Sequence, residues 1–156
     1  MFFLDTHIEF FEALLKNKVQ FLLIGGYAVI AHGYTRTTGD IDLWLNSSDE
    51  NKLKFIDALT ELEFDEDSLN YLSTIDFTEA QAFSFGENPC RIDFLTKINQ
   101  VDFNEAYAEH LKFELGNITL PIIQLKHLIL SKNNTGRIKD AADIEELQRI
   151  SRTKNE

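Results

Sequence analysis

FLLIGGYAVIAHGYTRTTGDIDLWL, residues 21–45, is the stretch on which the fold of this chain turns. Phe21 to Ile24 is an apolar run too short for a helix and halted by Gly25-Gly26, which reads as a buried strand running into a tight turn. The two glycines allow unusual backbone angles and the close approach of a ligand. Tyr27 to His32 reads as a short helix opening directly after them, its unpaired N–H groups and positive dipole end suited to a phosphate. After a polar turn, Tyr34 to Gly39, the segment Asp40 to Leu45 alternates with period two, as a strand does. Ile41, Leu43 and Leu45 then share one face and Asp40 and Asp42 the other, with α-carbons about 6.5–7 Å apart. Carboxylates held that close repel one another, and a divalent cation relieves the repulsion. Oxygen ligands of this kind favour Mg²⁺, its shell completed by waters and substrate phosphates.

Ile24-Gly25-Gly26, then thirteen residues, then Asp40-Ile41-Asp42-Leu43 resembles the signature of the DNA polymerase beta-like nucleotidyltransferase superfamily. The Arg-x-Thr-x-Asp-x-Asp form from Arg36 to Asp42 is similar to small bacterial nucleotidyltransferase-fold proteins, including some toxin–antitoxin components. The resemblance implies transfer of a nucleoside monophosphate from an NTP to an acceptor hydroxyl, on a small molecule, a tRNA end or a protein side chain. It implies a third carboxylate from a later strand. Cys90-Arg91-Ile92-Asp93-Phe94-Leu95 supplies it, since alternation there turns Asp93 away from Ile92 and Phe94. Asp40, Asp42 and Asp93 are then the catalytic and metal-binding residues, holding two Mg²⁺ ions for which Mn²⁺ could substitute. Gly25, Gly26, Arg36 and Thr38 would position phosphates. The competing reading is a binding module or toxin–antitoxin partner that keeps the fold without turnover.

The 156 residues read as one domain, 1–156, with a core over about 18–100 and a helical C-terminal segment over about 124–151. A single cysteine, Cys90, cannot form an intramolecular disulfide and reads as a strand-start residue. The N-terminus carries no basic leader, and no apolar run approaches the roughly 18 residues of a membrane span. A cytoplasmic protein without membrane contact is expected. The net charge of −11 counts against extensive nucleic-acid binding while leaving room for local tRNA docking or a protein partner. Charge is also uneven: residues 55–90 hold nine acids and no Lys or Arg, whereas residues 115–139 hold Lys126, Lys132, Arg137 and Lys139 without an acid. An NTP arriving at three carboxylates needs further cations, so the turn bearing Lys132, Arg137 and Lys139 is expected to fold over the carboxylates and hold the β- and γ-phosphates.

Elsewhere, Thr6-His7-Ile8-Glu9 has the form of a capping box and predicts a helix over about 6–17, with His7 solvated. Leu53, Ile56, Leu59 and Leu62 predict the apolar stripe of a second helix ending near Phe64. Asp65-Glu66-Asp67 reads as a solvated acidic turn, and residues 68–80 as loop or short helix. Residues 81–86 and 89–96 predict a hairpin that delivers Asp93. A short helix over 102–111 and a strand pair over 113–123 follow, Pro121 demoting the strand end to an edge. Two closing helices are expected, 124–131 and 138–150, the second with a stripe of Ala141, Ile144, Leu147 and Ile150. Residues 136–144, Gly-Arg-x-Lys-Asp-x-x-Asp-Ile, resemble the C-terminal segment of small nucleotidyltransferase-like proteins; they also read as a solvated hairpin in which Asp140 and Asp143 pair locally. His110 and His127 read as structural. The whole predicts an α+β nucleotidyltransferase fold, a short mixed β-sheet flanked by helices on one side, with a C-terminal helix pair.

Overall fold

The central strand pair predicted from residues 21–45 is the middle of a six-stranded mixed sheet in the computed structural model, which describes residues 3–34 and 39–154. The elements run α1 (Asp5–Lys16), β1 (Phe21–Ile24), α2 (Gly25–Ala31), β2 (Ile41–Leu45), α3 (Asp49–Glu61), α4 (Glu66–Thr74), β3 (Ala82–Phe85) and β4 (Ile92–Leu95). There follow α5 (Phe103–Ala108), β5 (Leu111–Leu115), β6 (Ile118–Ile122), α6 (Leu125–Lys132) and α7 (Ile138–Lys154). The strand order is β3-β4-β2-β1-β6-β5. β1 is antiparallel to β2, and β2 is parallel to β4, with Asp42 opposite Asp93 and Leu43 opposite Phe94.

That register sorts side chains into two faces. On one, Leu43, Phe83 and Phe94 are buried beneath α1 and α3: the Phe94 ring lies 5.7 Å from Phe10 of α1 and 5.0 Å from Phe55 of α3, and stacks on Phe83 at 5.4 Å. Each such ring contributes about 1.5–3 kcal/mol by leaving water. The other face carries Asp42 and Asp93, but also Leu22 and Trp44, which are fully buried and need cover of their own. Phe103 of α5 supplies part of it, its ring 5.0 Å from Trp44, and α6 brings Leu128 over the sheet beside Ile24 and Leu95. The sheet is therefore flanked by helices on both faces, not on one side as expected.

Several local expectations change. α1 starts one residue before Thr6, so the predicted capping box does not form; instead the Leu4 N–H donates to Nδ1 of His7, which is buried, not solvated. Burial holds the His7 imidazole below its ordinary pKa, with the Cys90 backbone opposing. In α3, capped by Ser48, the buried side is Phe55, Ala58 and Leu59, while Leu53 is 64% exposed. Asp65 is not merely a solvated turn residue; it caps α4 through the Ser68 N–H. β6 lies inside the sheet between β1 and β5, so Pro121 is not on an edge strand. Its missing N–H is tolerated because the rungs to β1 fall at the strand end, where Leu23 pairs with Ile122 and the Ile123 N–H donates to the Leu23 carbonyl. The β3–β4 hairpin forms as predicted. Among the described residues no helix is long and apolar enough to cross a membrane.

Candidate active site

β2 and β4 deliver the carboxylates. Their parallel register sets Asp42 beside Asp93 on one face, and Asp40 precedes β2 by one residue. Gly25, at the start of α2, adopts φ +69°, and a Cβ there would lie 2.2 Å from Oδ2 of Asp42. Two constraints thus require glycine: the left-handed backbone and the carboxylate pressed against its α-carbon. The close approach inferred from Gly25-Gly26 is made by the protein's own aspartate. Asp40, Asp42 and Asp93 line one wall of a cavity of about 280 Å³ whose other walls include Gly25, Gly26 and Gly39. Lys132, Arg137 and Lys139 line the same cavity, together with Asp140. The expected basic turn therefore does reach the carboxylates. Arg36 and Thr38 lie outside the described residues.

Electrostatics differ sharply between these groups. Burial, and then the neighbouring charges of Asp93 and Asp40, push the Asp42 carboxyl up to about 6, against the pull of Lys132 and Arg137. Asp93 is already engaged: Arg91 Nε donates to its Oδ1 at 2.8 Å and the Ser84 hydroxyl donates to the same oxygen. Lys132 is also committed. Its ammonium is buried between Asp140 Oδ1 at 3.3 Å and Asp143 Oδ2 at 3.1 Å. Burial raises Asp140, but the Thr135 hydroxyl and Lys132 outweigh it and leave that carboxyl below its ordinary value. Asp140 and Asp143 therefore pair across to α6 and are buried, which replaces the solvated local pairing. The buried stripe of α7 is Asp140, Asp143, Leu147 and Ile150, with Ala141 exposed. Arg137, 68% exposed in its side chain, touches Asp140 only at 3.7 Å and stays available at the cavity mouth. Lys139 makes no ion pair among the described residues.

A hard divalent cation suits this donor set in kind, because Asp42 is destabilised as an anion by burial and then by its carboxylate neighbours. Among the described residues, though, no three Asp, Glu, His or Cys side chains already converge as a metal cage. At Asp93, Oδ1 is occupied by Arg91 and Ser84. Sequence reading passed over Arg91 and Ser84; the period-two spacing of Arg91 and Asp93 was the available signal. His110 and His127 remain structural: Nδ1 of His110 meets the Tyr107 carbonyl, and Nε2 of His127 lies 3.7 Å from Glu109. A second cavity of about 340 Å³ adjoins the first, sharing Asp42, Lys132 and Arg137 but floored by Ile24, Leu95 and Leu128.

The fold matches solved structures of nucleotidyltransferases. The Thermotoga maritima protein TM1012, provisionally named a nucleotidyltransferase, aligns over 92% of this chain and 90% of its own, with TM-score 0.57 and 12% identity. The lincosamide antibiotic adenylyltransferase LnuA, solved with lincomycin bound, aligns over 93% and 96%, with TM-score 0.52 and 16% identity. At such identities the likeness is one of fold. No curated protein matches the chain. The sequence from residue 4 to 156 matches the family model described as nucleotidyl transferase of unknown function (DUF2204), so the glycine pair, the carboxylates and the sheet that carries them belong to a member of that nucleotidyl transferase family.

Proposed function

We propose that the protein moves a nucleoside monophosphate from an NTP to an acceptor hydroxyl, with divalent metal held by Asp40, Asp42 and Asp93. The carrying observation is the single cavity in which these carboxylates face Arg137, Lys139 and the Gly25-Gly26 helix start. A triphosphate brings about four negative charges, which Arg137 and Lys139 can meet at the cavity mouth. Lys132, fixed by Asp140 and Asp143, contributes its field and holds the α6–α7 corner in place rather than swinging to a phosphate. The adjoining cavity, with its apolar floor, suits the nucleoside.

In the transfer, a lone pair of the acceptor oxygen forms a bond to the α-phosphorus. The bond from that phosphorus to the bridging oxygen breaks, and pyrophosphate leaves with its electron pair. Asp93 accepts the hydroxyl proton and passes it to water. Mg²⁺, when bound, offsets the charge of the carboxylates and polyphosphate and lowers the pKa of an oxygen it coordinates. Arg91 and Ser84 both hold Asp93 by Oδ1, which fixes the carboxylate while its other oxygen takes the proton.

The test is thermal and chemical. ATP, GTP, CTP or UTP should raise the thermal midpoint only with Mg²⁺ or Mn²⁺ present, and EDTA should cancel the shift. Label from the stabilising NTP should pass to a component of cell extract, and Asp42→Asn should lower that transfer by at least about 100-fold. Equal stabilisation without metal, or full transfer by Asp42→Asn, would remove the assignment. A second reading, a nucleotide-binding module or toxin–antitoxin partner without turnover, is favoured by the engagement of both Asp93 and Lys132 in internal ion pairs. It predicts the metal-dependent shift with no label transfer.

A further inference from the structure

We infer that the acceptor is a small hydroxyl compound bearing a phosphate or carboxylate, recognised by Arg91 in a separate cavity over β3 and β4. This rests on the nucleotide reading above. In-line displacement sets the attacking oxygen and the departing pyrophosphate on opposite sides of the α-phosphorus. Among the described residues, Lys132, Arg137 and Lys139 stand on one side of the carboxylates, towards α6 and α7. On the other side, a cavity of about 390 Å³ shares Asp42 and Asp93 and contains none of those cations. Its further lining includes Ala82, Phe83, Ser84 and Arg91. That volume is on the scale of small-molecule sites.

Arg91 is the only cation among the residues lining it, and its side chain is 45% exposed. Its Nε and Nη2 contact Asp93 and Ser84, leaving Nη1 without a partner among the described residues. A guanidinium presents a planar fork matched to phosphate or carboxylate, so it selects for an anion and orients it. Ser84 adds a hydroxyl on the same face, opposite Asp93 in the β3–β4 pairing. An acceptor anion on the free Nη1 leaves Nε on Asp93 Oδ1, so one guanidinium holds the acceptor beside the carboxylate whose other oxygen takes the hydroxyl proton. The atoms balance as in the transfer above: the acceptor O–P bond forms, pyrophosphate departs, and the proton reaches water through Asp93. The acidic segment 55–90, which includes β3, disfavours a polynucleotide here and leaves a small anion as the occupant.

The full chain is incubated with labelled NTP, Mg²⁺ and cell extract divided into small-molecule, protein and nucleic-acid fractions, and the labelled product is resolved by anion exchange. The expected product is a small molecule carrying more negative charge than the single charge of a phosphodiester. Its formation should fall about 10- to 100-fold in Arg91→Ala and less in Ser84→Ala. The metal-dependent NTP shift in thermal midpoint should persist in both variants and reports that they fold. In direct assay, ribose 5-phosphate set against ribose, and glycerate against glycerol, separate phosphate from carboxylate recognition. A product with diester charge alone, label only in protein or nucleic acid, no labelled small molecule, or undiminished transfer by Arg91→Ala would each overturn the inference. Absence of the metal-dependent NTP shift in the parent would instead overturn the nucleotide reading beneath it.

Discussion

The two faces of the central sheet are built on opposite principles. Beneath α1 and α3, Phe10, Phe55, Phe83 and Phe94 form a cluster of rings with centroids 5.0–6.1 Å apart. On the other face, apolar packing at Trp44 and Phe103 gives way at the strand ends to Asp42, Asp93, Arg91, Lys132 and Asp140. Dispersion and dehydration are summed over many contacts and tolerate the loss of one only at a graded cost. A buried ionic cluster balances large opposing terms, and removing one partner exposes the whole desolvation penalty of the other. The first face holds the molecule together, and the second holds paired charges beside an Asp42 that burial and its like-charged neighbours disfavour.

The contrast is broken most severely on the aromatic face. Phe94→Ala should lower stability by about 3–5 kcal/mol, because the ring is fully buried and touched from α1, α3 and β3 at once. Urea unfolding measures this, and a loss below 1 kcal/mol would mean that the cluster is not the core. Next, Lys132→Met should cost about 3 kcal/mol by removing the buried ammonium that Asp140 and Asp143 share. Adding Asp140→Asn and Asp143→Asn should recover part of that loss. No recovery in that triple variant would argue that packing, not charge, governs that corner.

Asp42→Asn should act in the opposite direction. The Asp42 carboxyl titrates near 6 in the fold against an ordinary 3.8. Between these values the folded chain binds more protons than the unfolded one, so stability declines as pH rises through the window. Above it the ionised group weakens the fold by about 1–3 kcal/mol. In metal-free buffer at pH 7.5 the Asn variant should therefore melt higher than the parent by about 2–8 °C, with the advantage disappearing near pH 4. A variant less stable than the parent at pH 7.5 would show that Asp42 is anchored, not repelled. The smallest effect belongs to Leu53→Ser on the open side of α3, which should stay within about 0.5 kcal/mol of the parent.

Much of the scaffold was legible because its signals are local. The Gly25-Gly26 turn, the alternation in residues 40–45 and the β3–β4 hairpin follow from backbone preference and period, which neighbours in sequence decide. The errors share a cause as well. Leu53 and Ala141 fit a helical stripe by spacing, yet the sheet meets α3 through Phe55 and Leu59, and α7 turns inward the face that begins with Asp140 and Asp143. Spacing fixes which residues share a face; which face is buried depends on the partner element. His7 was misjudged for the same reason, since a cap position says nothing about what packs over it.

By itself the sequence determined that two aspartates lie two residues apart on a strand behind a glycine turn, and that residues 115–139 are cationic without an acid. These follow from covalent order and the geometry of a strand. Only the tertiary structure decided that Gly25 must be glycine because Asp42 presses on it, that Lys132 is spent on Asp140 and Asp143, and that Arg91 holds Asp93. Charge interactions fall off with distance and depend on burial, so Asp42 acquires its raised pKa, from burial and from Asp93 51 positions away in the chain, only once the sheet and its two helical layers come together.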